Sequence, residues 1–284
     1  MRKTGLLIAG LLVTTATWGA GMSDAAYVAA MAAMHADDTP VASPISEIKP
    51  ARAVTGHSVV YATVAGKPVH GYLARPQNVK GPLPAVIVIH EWWGLNDNIR
   101  HMADRLAGEG YVALAVDLYG GHSATTPAAA QALMKQVFAH TADAKSNLRQ
   151  AYDYLHAKQE APRIGVIGWC FGGGWSLQTA LMLPDKIDAT VMYYGRPVND
   201  VSALSKLKGP LIGFFGEEDH GITVADVNAF QAALKQAHVN AEIHEYPHAG
   251  HAFANPSGRN YRADAAKDAW TRTVRFFKRY LQPT

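Results

Sequence analysis

Continuously apolar runs recur along the chain at 85–89, 112–116, 164–167, 189–193 and 211–215, with a more mixed run at 241–246. Each is too short for a helix, and unbroken hydrophobicity is what a strand covered on both faces requires. Two earlier runs, 58–64 and 68–75, are rich in β-favouring residues and flank Ala65-Gly66-Lys67, the signature of a hairpin. Between the strands the period changes to that of a helix. Ile99, Met102, Ala103 and Leu106 share one face of a segment 98–109 that Gly110 stops. Thr126-Pro127 opens a further helix, with a capping residue ahead of a first-turn proline. Helical spacing continues at 141–157, 173–183, 226–236 and 262–281.

Strands alternating with helices after an initial hairpin predict an α/β fold: a mostly parallel, doubly covered sheet opened by an antiparallel β-hairpin, with ligands at the carboxyl ends of the strands. Residues 57–284 are read as one domain. The preceding stretch, 26–56, is rich in Ala, Asp, Thr, Ser and Pro without a sustained period and reads as a loosely docked leader. Residues 1–25 have the form of a cleavable export signal: Met1-Arg2-Lys3 is basic, Leu6 onward is apolar, and Ser23 and Ala25 are small residues placed for cleavage after Ala25. Cleavage after Ala20 is the second choice. The apolar run falls short of the roughly 20 residues that span a bilayer, so the mature protein is expected in the periplasm or outside the cell, with no membrane association.

With 284 residues, 49% apolar and 17% charged, the chain can bury a full core, which excludes disordered and fibrous classes. The net charge is only +3 and the basic residues are scattered, so no nucleic-acid surface is expected. A single cysteine, Cys170, excludes an internal disulfide framework. No cofactor motif is present, and a monomer is expected.

The chemistry centres on Gly168-Trp169-Cys170-Phe171-Gly172-Gly173-Gly174, between the strand ending near Ile167 and an Ala/Leu-rich helix. This is a nucleophile elbow with cysteine at the corner. A strand that turns at once into a helix strains its corner residue and tolerates only small neighbours two positions away, which Gly168 and Gly172 supply. The helix start also favours a thiolate. A thiol nucleophile needs a base, and the base an orienting acid. Downstream, Asp219 follows the strand 211–215, with Glu218 as its alternative. His251 follows the last strand, with His248 as its rival; the pair has metal-ligand spacing but no third ligand nearby in sequence.

Over about 58–281 the chain resembles the dienelactone hydrolase (carboxymethylenebutenolidase) family of the α/β-hydrolase superfamily. The likeness rests on His90-Glu91-Trp92-Trp93-Gly94-Leu95-Asn96, Val116-Asp117-Leu118-Tyr119-Gly120, the elbow, Gly216-Glu217-Glu218-Asp219 and Ala249-Gly250-His251-Ala252-Phe253, in that order. The resemblance implies a triad of Cys170, His251 and Asp219, with Glu91 against the resting thiol and the backbone N–H groups of Phe171 and Trp92 forming an oxyanion hole. It also implies a small ester or lactone substrate. Family members that cleave dienelactone grip its carboxylate with two arginines; here one position is Asn255, and no arginine lies between Tyr119 and Asn147. His122, Lys135 and Arg196 are weak replacements for a bidentate clamp. Trp92, Trp93, Tyr119, Phe171, Trp175 and Phe253 instead give the site an aromatic lining, which favours an uncharged or aromatic acyl group. Trp93, Tyr119, Trp175, Phe253 and Asn255 are the candidate substrate contacts.

Overall fold

The computed structural model describes residues 22–40 and 48–282. The proposed signal lies almost wholly outside them. Eight strands form one sheet: β1 (Val54–Val64), β2 (Lys67–Pro76), β3 (Ala85–Ile89), β4 (Val112–Val116), β5 (Ile164–Trp169), β6 (Ala189–Tyr193), β7 (Leu211–Gly216) and β8 (Ala241–Tyr246). Their spatial order is β1-β2-β4-β3-β5-β6-β7-β8. β1 and β2 form the expected hairpin, β2 joins β4 antiparallel, and every later pairing is parallel. Ala65 and Gly66, at φ 48° and 76°, make the two-residue hairpin turn whose twist matches the strands. The hairpin begins at Val54, inside the stretch read as leader.

All residues of β3 to β7 are buried, which explains their unbroken apolar runs. The helices between the β-strands are α2 (Asp97–Gly108), α3 (Pro127–Ala139), α4 (Thr141–Lys158), α5 (Phe171–Met182), the short α6 (Val201–Leu204) and α7 (Val224–Gln236); α8 (Ala263–Leu281) closes the chain. Their starts are set locally. Asn96 accepts from the Ile99 N–H, and Thr126 from the Ala129 N–H. Thr223 and Asp226 cap each other reciprocally.

The leader departs from expectation. Asp24–Met34 is a helix, α1, capped by Ser23 and packed against the domain through buried Tyr27, Val28 and Met31. It is not loosely docked. Alanines around the whole helix blur its apolar stripe, so polarity alone does not mark the face that binds. Cleavage after Ala25 would fall between the second and third residues of α1.

The corner between β5 and α5 fixes the rest. A Cβ on Gly168 would lie 2.1 Å from the Gly172 carbonyl oxygen, and one on Gly172 would lie 2.4 Å from the carbonyl oxygens of His90 and Ile89. All of these neighbours are backbone, with no side chain to yield. Gly168→Ala is therefore expected to lower stability by roughly 3 kcal/mol or more, or to abolish soluble expression. Urea unfolding checks this; a loss under about 1 kcal/mol would show that the corner relaxes.

Candidate active site

Cys170 caps α5 at φ 54°, ψ −117°, a conformation that a non-glycine residue keeps only where its surroundings impose it. Its backbone N–H donates to the Tyr193 carbonyl, which ties the corner to β6. Asp219, in the turn after β7, accepts the backbone N–H groups of Gly221 and Ile222 at 2.8 and 2.9 Å on Oδ1. Its Oδ2 lies 2.7 Å from His251 Nδ1. That leaves His251 Nε2, which is buried and has no other partner, facing the thiol. The two alternatives left open by the sequence, Glu218 and His248, pair with each other on the surface at 3.2 Å. The spacing that suggested a metal pair therefore does not converge on a common point.

A second imidazole reaches Cys170, and it comes from the leader. His35, at the end of α1, has Nδ1 2.7 Å from Asp38 Oδ2, and its buried Nε2 has no hydrogen-bond partner. Ligand-type atoms of His35, Cys170 and His251 all lie within 4.8 Å of one another. Among the described residues this is the group whose donor atoms suit a soft metal ion, and it includes Cys170. The His35 ring stacks obliquely on Trp92 at 4.7 Å and meets the His251 ring edge-on at 5.4 Å. Met31 Sδ lies 3.7 Å from Cys170 Sγ. The thiol is 1% exposed and Met31 fully buried, so α1 covers the sulfur.

Glu91, just beyond β3, lies close enough to Cys170 to feel its charge, and its hydrogen bonds go to other side chains. Asn255 Nδ2 donates to its Oε2 at 2.6 Å and the Tyr194 hydroxyl to its Oε1 at 3.5 Å; these two side chains, rather than the thiol, make its hydrogen bonds. Asn255 thus holds Glu91. His90 fixes the Glu91 backbone, with Nδ1–H donating to the Glu91 carbonyl at 2.6 Å while Nε2 accepts the Leu118 N–H at 3.1 Å.

Burial alone would raise the Cys170 thiol, but the imidazoles of His251 and His35 outweigh it and hold the thiol down at about 6. Burial also opposes a charge on His251; Asp219 and the thiolate overcome that and keep it protonated well above the ordinary range. Asp219, despite its burial, is held below the ordinary carboxylate range by His251 and by its two backbone donors. Glu91 moves the other way. Burial first, and then the adjacent Cys170 charge, push it up to about 8, so its carboxyl is neutral near pH 7.

The remaining expected contacts are distributed around this centre. Phe171 opens α5, so its N–H is among the helix's unpaired first-turn donors. Trp92 lies against His35 and Trp93, and its carbonyl accepts the Tyr119 hydroxyl at 3.0 Å. Trp175 is buried beside Phe171. Phe253 packs on Tyr194 and Tyr246. His122 and Lys135 are exposed. Arg196 is committed to α1: it pairs with Asp24 at 2.7 Å, donates to the Met22 carbonyl, and stacks over Tyr27. His35, Asp38, Met31 and Tyr194 carry no motif that would single them out in the sequence. The available signal was an Ala-rich stretch with apolar residues at 27, 28 and 31, the spacing of one helical face.

A parallel sheet with a cysteine elbow and an Asp–His pair at the strand ends defines an α/β-hydrolase-fold enzyme. The chain belongs to the dienelactone hydrolase family, whose model matches residues 69–281, and it is a hydrolase. It is 37% identical over 223 residues to protein usf of Aquifex pyrophilus, covering 76% of this chain and 95% of that one. It is 33% identical over 251 residues to a "putative carboxymethylenebutenolidase" of Saccharolobus solfataricus, covering 75% and 95% respectively. Among solved structures, a "putative dienelactone hydrolase" of Klebsiella pneumoniae superposes with a TM-score of 0.73 at 30% identity, over 81% of this chain and all of that one.

The neutral state of Glu91 carries a stability consequence. A carboxyl raised in the fold contributes fully below its ordinary value near 4.5, and that contribution is lost as pH rises toward about 8. Glu91→Gln is expected to be more stable than the parent at pH 8, by on the order of 1–3 kcal/mol, with the gap closing by pH 5. Urea denaturation across that range reads it; a gap independent of pH would show that Glu91 is already charged in the fold.

Proposed function

We propose that the protein is an exported, cysteine-dependent hydrolase of carboxylic esters or lactones that acts as a monomer. The observation that carries this reading is the chain Asp219–His251–Cys170, buried and aligned at the elbow. In acylation the Cys170 thiolate, whose proton already rests on His251 Nε2, adds to the substrate carbonyl, whose π pair moves onto oxygen. The N–H groups of Phe171 and Trp92 receive that oxyanion; one such donor is worth on the order of 10² to 10³ in rate. Collapse breaks the C–O bond, and the leaving alkoxide takes the proton from His251. Water then gives a proton to His251 and adds to the thioester; the C–S bond breaks, and acid and thiolate are released.

The acyl group is uncharged or aromatic. With Asn255 bound to Glu91 and Arg196 bound to α1, neither position offers a guanidinium to a substrate carboxylate. Export is supported by the basic start and apolar run of the first residues, and among the described residues no helix is long and apolar enough to cross a membrane.

Cys170→Ala and His251→Ala should each reduce turnover of p-nitrophenyl acyl esters at least about 10³-fold. On matched lactones with and without a carboxylate, the neutral one should be preferred. Full activity in Cys170→Ala would remove the thiol from the mechanism, and a strong preference for the charged lactone would overturn the substrate assignment.

A further inference from the structure

Resting on that reading, we propose that His35 is a further catalytic residue: held by Asp38, it shares the Cys170 proton with His251, so that residues 24–38 are part of the catalytic centre.

The arrangement around the sulfur is nearly symmetrical. Each of two imidazoles gives Nδ1 to a carboxylate at 2.7 Å and keeps a buried, otherwise unpartnered Nε2 beside Sγ. An unpartnered buried ring nitrogen is costly, and the sulfur lies within reach of both, so that its proton can pass to either. A carboxylate on Nδ1 also fixes the tautomer and raises the basicity of the far nitrogen. Burial opposes a charge on His35, but Asp38 and the thiol raise it above its ordinary value.

The segment that brings His35 is fastened at both ends by arginines of the domain. Arg196 holds Asp24 and the Met22 carbonyl at the start; Arg259 reaches Asp37 at 3.4 Å and Asp38 at 3.3 Å at the end. Between these anchors, Tyr27, Val28 and Met31 are buried. His35 is itself 3% exposed.

The other groups around the sulfur are on different elements. Glu91, Tyr119 and Tyr194 face it from the loops after β3, β4 and β6, Asp219 from beyond His251, and Tyr27 with Arg196 from the α1 side. Glu91 is neutral, and burial holds the three tyrosines protonated. The two imidazoles are therefore the groups that exchange a proton with the thiol near neutral pH.

The test uses the pH dependence of iodoacetamide alkylation in the mature chain, where Cys170 is the only thiol. The parent should show a midpoint near 6. In His35→Ala the midpoint should rise by about one pH unit, making alkylation at pH 6 about fivefold slower relative to its own plateau. Asp38→Asn should move it less in the same direction, and imidazole in the buffer should restore the low midpoint in His35→Ala. A helix that only covers the sulfur predicts a different result: faster alkylation at every pH with an unchanged midpoint, which would overturn the proposal. Alkylation reads the thiol without any substrate. Failure of the hydrolase reading would appear as a low parent midpoint with no turnover, whereas failure here would appear as an unmoved midpoint in a variant that still turns over.

Discussion

Everything in this site follows from how closely β5 and α5 approach at one corner. With no Cβ at Gly168 or Gly172, the first turn of α5 can lie against the backbone at the end of β3, and Cys170 is left at the tip in a strained conformation. That places the sulfur at the positive end of a helix and at the carboxyl edge of the sheet. The loops after β3, β6, β7 and β8 open at the same edge, and each delivers a side chain to it. Glu91, Tyr194, Asp219 and His251 are distant in sequence, but the parallel pairing of β3 through β8 makes them neighbours. Relaxing the corner would remove the point on which they converge.

A buried sulfur carrying charge sets the second constraint, electrostatic rather than steric. In an interior of low polarity a thiolate persists only if opposite charge and hydrogen donors surround it. Two imidazoles, each backed by a carboxylate, meet that need, and the nearest remaining acid has to stay neutral. Glu91 does so through burial, and the donors from Asn255 and Tyr194 fill its lone pairs whether or not it carries a proton. An arginine at position 255 would therefore do more than attract a charged substrate: a guanidinium beside Glu91 would favour its carboxylate, in competition with the thiolate.

The sheet and the residues of the proposed triad were legible because their physics is local. A strand covered on both faces must be continuously apolar, and an elbow must have glycines flanking its corner; both requirements are written in consecutive residues. The Asp219–His251 pair was legible by position after β7 and β8, and the structure sets the alternatives aside geometrically by pairing Glu218 with His248 in solvent. What stayed hidden depends on contacts between distant segments. Nothing in the residues around His35 states that its ring will meet Trp92 and His251, and alanines on every side of α1 mask the face formed by Tyr27, Val28 and Met31. Glu91 was recognised from its motif, but its hydrogen bonds follow from Asn255, which lies 164 residues away.

The docked leader bears on the proposed export signal through these contacts. Arg196 is almost fully buried, and its hydrogen bonds to Asp24 and to the Met22 carbonyl keep its charge paired at the start of α1. Cleavage after Ala25 would remove both of these acceptors and the Ser23 cap. Cleavage after Ala20 would leave the helix and its anchor intact. For the proposed cleavage, the contacts of the docked helix therefore favour the earlier site, which the pattern of small residues alone ranks second.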